Sequence, residues 1–125
     1  MNSNTQFTHH ETLLDQADQF RSAYNLQNGM SQAATQKSLI DEEWSEFHEA
    51  YHHEPRDHVL KELADLVYVC FQYAASQDWA LDEAMRRVHK SNMSKLGEDG
   101  NPIYRGDGKV LKGPNYQPPA LGDLV

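Results

Sequence analysis

Two pairs of acids set inside apolar helical patterns constrain this chain more than anything else in it. Residues 39–47 read Leu39-Ile40-Asp41-Glu42-Glu43-Trp44-Ser45-Glu46-Phe47, and residues 61–67 read Lys61-Glu62-Leu63-Ala64-Asp65-Leu66-Val67. Glu43 and Glu46 are three positions apart, as are Glu62 and Asp65, so on a helix each pair shares a face. Glu43 falls in the gap of a stripe formed by Leu39, Ile40, Phe47, Ala50 and Tyr51, and Asp65 is the sole charged residue between Leu63 and Ala75. An acid in an apolar stripe breaks the binary pattern, as functional sites do. Burying several carboxylates together is costly unless cations occupy the site. The expectation is a helical protein whose facing acids hold a divalent metal. Glu43 and Asp65 are expected to be its deepest ligands, with Glu46 and Glu62 one turn away. All-oxygen ligands favour Mg²⁺, with Mn²⁺ able to substitute, over Zn²⁺.

The remaining pattern is also helical. From Thr8 to about Asn25 one stripe carries Leu13, Leu14, Ala17, Phe20, Arg21 and Tyr24, and Gln27-Asn28-Gly29 supplies a turn. Ser31 is the expected N-cap of a second helix that ends before Pro55. A third helix starts near Pro55. It is apolar nearly all round from Leu63 to Ala75, which predicts a central place. The fourth, capped by Asp78 or Asp82, runs to about Leu96 and stops at Gly97. The glycines and prolines that follow exclude a long helix. There, Ile103-Tyr104-Arg105 and Lys109-Val110-Leu111 flank Gly106-Asp107-Gly108 as a candidate small hairpin. The chain therefore reads as all-α, with a helical domain over 1–97 and an irregular basic tail or lid over 98–125.

A length of 125 residues fits a single core. The mean hydropathy of -0.80 and the lack of a long apolar run argue against a membrane span. The polar start has no signal-peptide pattern and Cys70 is the only cysteine, so a reducing cytoplasm is the expected compartment. A net charge of -8 disfavours non-specific binding to nucleic acid or anionic lipid. Its distribution matters more: residues 1–85 hold 15 of the 19 acids and 4 of the 11 Lys and Arg, while residues 86–125 hold 4 acids and 7 bases. An acidic body with a basic tail suits a metal and a polyanion such as a nucleotide phosphate, or simply reflects a tail that neutralises the body.

His48-Glu49-Ala50-Tyr51-His52 matches the zinc-protease pattern HExxH. His48, however, lies about 140° round an ideal helix from Glu43, so the pair is expected to face outward as surface histidines. Trp44, beside the acids, suits base stacking or a subunit contact equally. Phe20, Tyr24 and Asn28, spaced by four, are candidates for base recognition if the first helix reaches that far. Asn92 and Lys95, with Lys90, Lys109 and Lys112, are candidates for phosphate.

The acid stretches, together with Val88-His89-Lys90-Ser91-Asn92-Met93-Ser94-Lys95-Leu96 and Asp107-Gly108-Lys109-Val110-Leu111-Lys112-Gly113-Pro114-Asn115-Tyr116, resemble the MazG-type nucleoside triphosphate pyrophosphohydrolases. These belong to the all-α NTP pyrophosphohydrolase superfamily. The tail resembles the C-terminal part of short, phage-type or bacterial MazG-like proteins, the phage-type ones including (d)GTP-directed enzymes of the MazZ kind. The resemblance implies a four-helix bundle completed by dimerisation, as a homodimer or dimer of dimers. It implies Mg²⁺-dependent hydrolysis of (deoxy)nucleoside triphosphates to monophosphate and pyrophosphate, with dGTP as the first substrate to consider. By motif it maps Glu43, Glu46, Glu62 and Asp65 to metal ligands, and Glu42 and Glu43 to catalytic acids, with Glu42 either supporting the ligands from behind or orienting water. Where many relatives carry an Arg-rich stretch, this chain has Asn92 and Lys95. The alternative from another class is a non-catalytic helical dimer that binds nucleotide or a partner helix in its acidic groove.

Overall fold

The computed structural model describes residues 11–125. It has four α-helices: α1 (Leu13–Ala23), α2 (Ala33–His53), α3 (Arg56–Gln77) and α4 (Leu81–Met93). Among the described residues there is no strand, only an isolated antiparallel bridge between Tyr104 and Val110. The protein is all-α. It divides into two compact units, one ending at Leu81 and the other spanning Asp82–Val125. The expected division at residue 97 grouped the fourth helix with the others; this division groups it with the segment that follows.

In the first unit, α1 opens with a reciprocal cap. The Thr12 hydroxyl accepts from the Asp15 amide at 3.0 Å, and the Asp15 carboxylate accepts from the Thr12 amide at 3.0 Å. The expected start at Thr8 lies outside the described residues. The helix stops at Tyr24, and Asn25 turns the chain with φ 55°. Asn28 is thus not on the helix and shares no face with Phe20 and Tyr24. Gly29, at φ 114°, takes a conformation that suits only glycine.

Ser31 does not cap α2. A short 3-10 turn, Met30–Gln32, intervenes, with the Gln32 amide donating to the Gly29 carbonyl at 2.9 Å, and Gln32 caps α2 without a side-chain hydrogen bond. Pro55 is the N-cap of α3, in extended conformation, which suits a residue that has no amide to lose. Asp78 closes α3 rather than opening α4. It sits left-handed at φ 61°, and its amide donates to the carbonyls of Ala74 and Ala75. Helix α4 ends at Met93, three residues before the expected stop. The Lys95 amide already bonds three residues back, to the Asn92 carbonyl at 3.2 Å, a tightening typical of a last turn.

Helix α3 packs along α2 and against α1. The core is small: Ala17, Phe71 and Ala75, with Leu14 and Leu81 against it. Beside it the buried Arg21 guanidinium donates to the Asn28 carboxamide at 2.6 Å, to Gln72 at 3.1 Å and to the Gln27 carbonyl at 2.5 Å. Burial lowers the Arg21 pKa, opposed by nearby Asp18. Only the C-terminal half of α3 is central. Leu60, Leu63, Val67 and Tyr68 are exposed, and with Leu13 they border an apolar groove of about 390 Å³.

In the second unit the chain after α4 folds back on that helix. Arg87 makes a bidentate pair with Asp123 at 2.7 and 3.0 Å and donates to the Ala120 carbonyl at 2.9 Å. The Gln117 amide donates to the Ser94 hydroxyl at 2.9 Å, and the Gly113 amide to the Lys95 carbonyl at 2.7 Å. A Cβ at Gly113 would collide with the Leu96 carbonyl, so close backbone contact fixes glycine there.

Candidate functional site

The inward stripe of α2 runs Gln36, Leu39 and Ile40, Glu43, Phe47 and Ala50, all buried or half-buried, while Ala34, Thr35, Lys37, Ser38, Asp41, Glu42 and Trp44 are exposed. This periodicity turns Glu43 toward α3, where Glu62 and Asp65 lie one turn apart. The outcome is two acid groups with a common member. In one, carboxylate oxygens of Glu43, Glu62 and Asp65 all lie within 4.8 Å of one another; in the other, those of Glu42, Glu43 and Glu46 do so. Glu43 is the hinge of the cluster, and Glu46 joins it through Glu43 rather than through α3.

The electrostatics follow from the crowding. Burial pushes the Glu43 carboxyl above its usual range, and the charges of Glu46, Asp65, Glu62 and Glu42 push it further. Glu43 Oε1 and Glu62 Oε1 are both buried without a hydrogen-bond partner. Lys61 is the cation at hand: its ammonium lies 2.7 Å from Asp65 and 3.5 Å from Glu62 Oε1, and its own pKa is raised, first by the hydrogen bond to Asp65. Glu62 is more covered than Asp65, with side chains 18% and 39% exposed. That reverses the depth expected for these two, because this stretch of α3 lies on its uncovered half. Glu46 and Glu62 also border a cleft of about 500 Å³ shared with Glu49, Glu54, His58 and Lys61.

This donor set suits a hard divalent cation. Every ligand is a carboxylate oxygen, several are close enough to share one ion, and the buried Glu43 Oε1 lacks the hydrogen bond that buried acceptors normally have. The histidines of the HExxH match do not enter such a group. His48 and His52 are exposed, ring centroids 4.8 Å apart, on the face that also carries Trp44, 6.2 Å from His48.

The remaining candidates divide between the units. Phe20 stacks on Tyr24 at 4.6 Å and meets Tyr68 edge-on at 5.7 Å, so these two rings do share a face. The Asn28 carboxamide oxygen is taken by Arg21. In the second unit, Lys90 borders an open cavity of about 740 Å³ with Arg86, Arg87, Ser91 and Ser94. The Lys112 ammonium lies 4.9 Å from the Tyr116 ring centroid. Asn92 and Lys109 are exposed, and Lys95 is half-buried. One residue escaped the sequence reading: Gln36 occupies an inward position of the Glu43 stripe. The signal that marked Glu43, a polar residue at an apolar position, was present there too.

A family model described as phosphoribosyl-ATP pyrophosphohydrolase matches residues 8–92. The chain belongs to this family. The family is part of the MazG-like all-α NTP pyrophosphohydrolase superfamily, so the match spans the acid cluster and agrees with the helical architecture. It makes the chain a nucleotide pyrophosphohydrolase by family, and members typically use divalent metals. No curated protein matches the chain.

Proposed function

We propose that this chain hydrolyses nucleoside triphosphates between the α and β phosphates, releasing monophosphate and pyrophosphate. Mg²⁺, with Mn²⁺ able to substitute, would be held by Glu43, Glu46, Glu62 and Asp65. The observation that carries this reading is the Glu43 carboxylate, common to both acid groups and with a buried oxygen that has no hydrogen bond. A bound divalent cation supplies Lewis acidity toward phosphate oxygens and water. Glu43 and Glu62 orient that charge from the buried side. Glu42, exposed and within the same group as Glu43 and Glu46, would orient the attacking water and take its proton. The water oxygen bonds to the α-phosphorus, the bond to the bridging oxygen breaks, and pyrophosphate leaves. Lys61, paired with Asp65, would face a phosphate once a cation neutralised the acids.

A deoxyguanosine triphosphate is the first substrate to test, on the resemblance of the tail to MazZ-like enzymes. Phosphoribosyl-ATP is the second, because the family description names it. Both present a triphosphate to the same acids. The exposed Leu60, Leu63, Val67 and Tyr68 favour a homodimer, alone or paired again, that covers this face. Among the described residues no helix is long and apolar enough to cross a membrane, and with one free cysteine the cytoplasm remains the proposed site of action.

The experiment is incubation with each (d)NTP and phosphoribosyl-ATP in Mg²⁺, with product analysis. Monophosphate plus pyrophosphate from wild type, and a loss of at least about 100-fold in Glu43→Gln, are expected. Wild-type turnover in that variant would dismiss the site, and nucleotide binding without turnover would support the non-catalytic alternative.

A further inference from the structure

Gln36 is the second polar residue in the inward stripe of α2. It is 6% exposed, and its carboxamide oxygen is buried with no hydrogen-bond partner. Its neighbours Ala34, Thr35, Lys37 and Ser38 are all exposed, so the helix delivers this one polar side chain inward. Buried acceptors are nearly always paired. A carboxamide oxygen left unpaired there fits a position whose donor arrives with a ligand.

Its register relative to the acids says which part of the ligand. Gln36 precedes Glu43 by seven residues, two turns, so the two lie on the same face of α2. The rise between them is about 10 Å, on the order of the distance from a nucleobase edge to the polyphosphate of the same nucleotide. With Glu43 at the phosphates, Gln36 lies where the base would be. A carboxamide offers one acceptor and a two-hydrogen donor group in a fixed plane, the complement of a base edge that presents N–H beside an acceptor. Inorganic phosphate has no such edge.

We propose that Gln36 is a specificity-determining residue that accepts a hydrogen bond from the nucleobase of the substrate through its buried side-chain oxygen. This rests on the proposed triphosphate hydrolysis at Glu43. A site built around such a hydrogen bond rejects a base that cannot supply it far more strongly than an apolar pocket does.

Two readouts test it. First, kcat/KM is measured over the nucleotide panel for wild type and for Gln36→Met, which keeps the side-chain length without its polar atoms. The loss is expected to be about 10- to 100-fold for the preferred base and smaller for the others, so that the preference ratio collapses. Second, in ¹⁵N-labelled wild type, the Gln36 side-chain amide resonance is expected to shift when the non-hydrolysable α,β-methylene analogue of the preferred nucleotide binds, and to stay in place with inorganic triphosphate. The second readout needs no variant to fold. An unchanged preference ratio, an equal loss for every base, or an amide that ignores the analogue overturns the role of Gln36 while hydrolysis stands. A wild type that cleaves no nucleotide overturns the hydrolysis reading itself, and this inference with it.

Discussion

Glu43 concentrates the cost of the site in one carboxyl group. Its pKa is raised in the fold, so the folded protein holds that proton more tightly than the unfolded chain does. Stability from this group is therefore present below the unfolded glutamate pKa and is lost as pH rises through the folded one. At neutral pH the metal-free wild type carries the full penalty. In EDTA, Glu43→Gln is expected to melt above wild type at neutral pH, with the gap closing as pH falls through the raised pKa of the folded protein toward the ordinary glutamate range. Added Mg²⁺ should raise the wild-type melting temperature and leave the variant unmoved; ligand at 100 times its Kd is worth about 2.7 kcal/mol. Thermal melts with and without Mg²⁺ across pH check both. A variant that melts below wild type at every pH in EDTA would show that crowding does not govern this residue. Glu43 was legible in the sequence because it interrupts an apolar stripe. The greater depth of Glu62 was not, since it depends on how far α2 covers α3.

At the scale of elements, the helix bodies were readable and their ends less so. Periodicity locates α2 and α3, but caps depend on the path of the flanking chain. Ser31 has the right chemistry for an N-cap, yet a 3-10 turn places it one step too early. Asp78 has the same chemistry and serves a C-terminus instead, left-handed at φ 61°. That conformation strains a residue with a Cβ. Asp78→Gly is expected to stabilise the first unit by up to about 1 kcal/mol, offset in part by the greater entropy of unfolded glycine. Differential scanning calorimetry checks it; a clear drop in melting temperature would mean that the Asp78 side chain contributes more than its backbone strain costs.

For the whole molecule, the exposed apolar half of α3 is the feature a lone chain leaves unresolved. Large apolar faces bordered by polar residues mark interaction sites, and this one continues from α3 onto Leu13 of α1. A second copy covering it would bury Leu60, Leu63 and Val67 on the side of α3 turned away from Glu62 and Asp65. Leu63→Glu is expected to shift the protein toward monomer in sedimentation velocity. A wild type that sediments as a monomer with full activity would remove this reading.

The sequence alone determined that the chain is helical, and which acids interrupt the helices, because 3.6-residue periodicity and its violations are local properties of the chain. It also marked the stretch after α4 as irregular, since glycine and proline act on the backbone wherever they stand. Only the tertiary structure decided that Glu43 is common to both acid groups, that Arg87 clasps Asp123 and that Gln36 is sealed inward with its side-chain oxygen unpartnered. Each of these depends on the distance between groups on different elements or on how much of a side chain its neighbours cover. Packing sets those quantities, and no spacing along the chain encodes them.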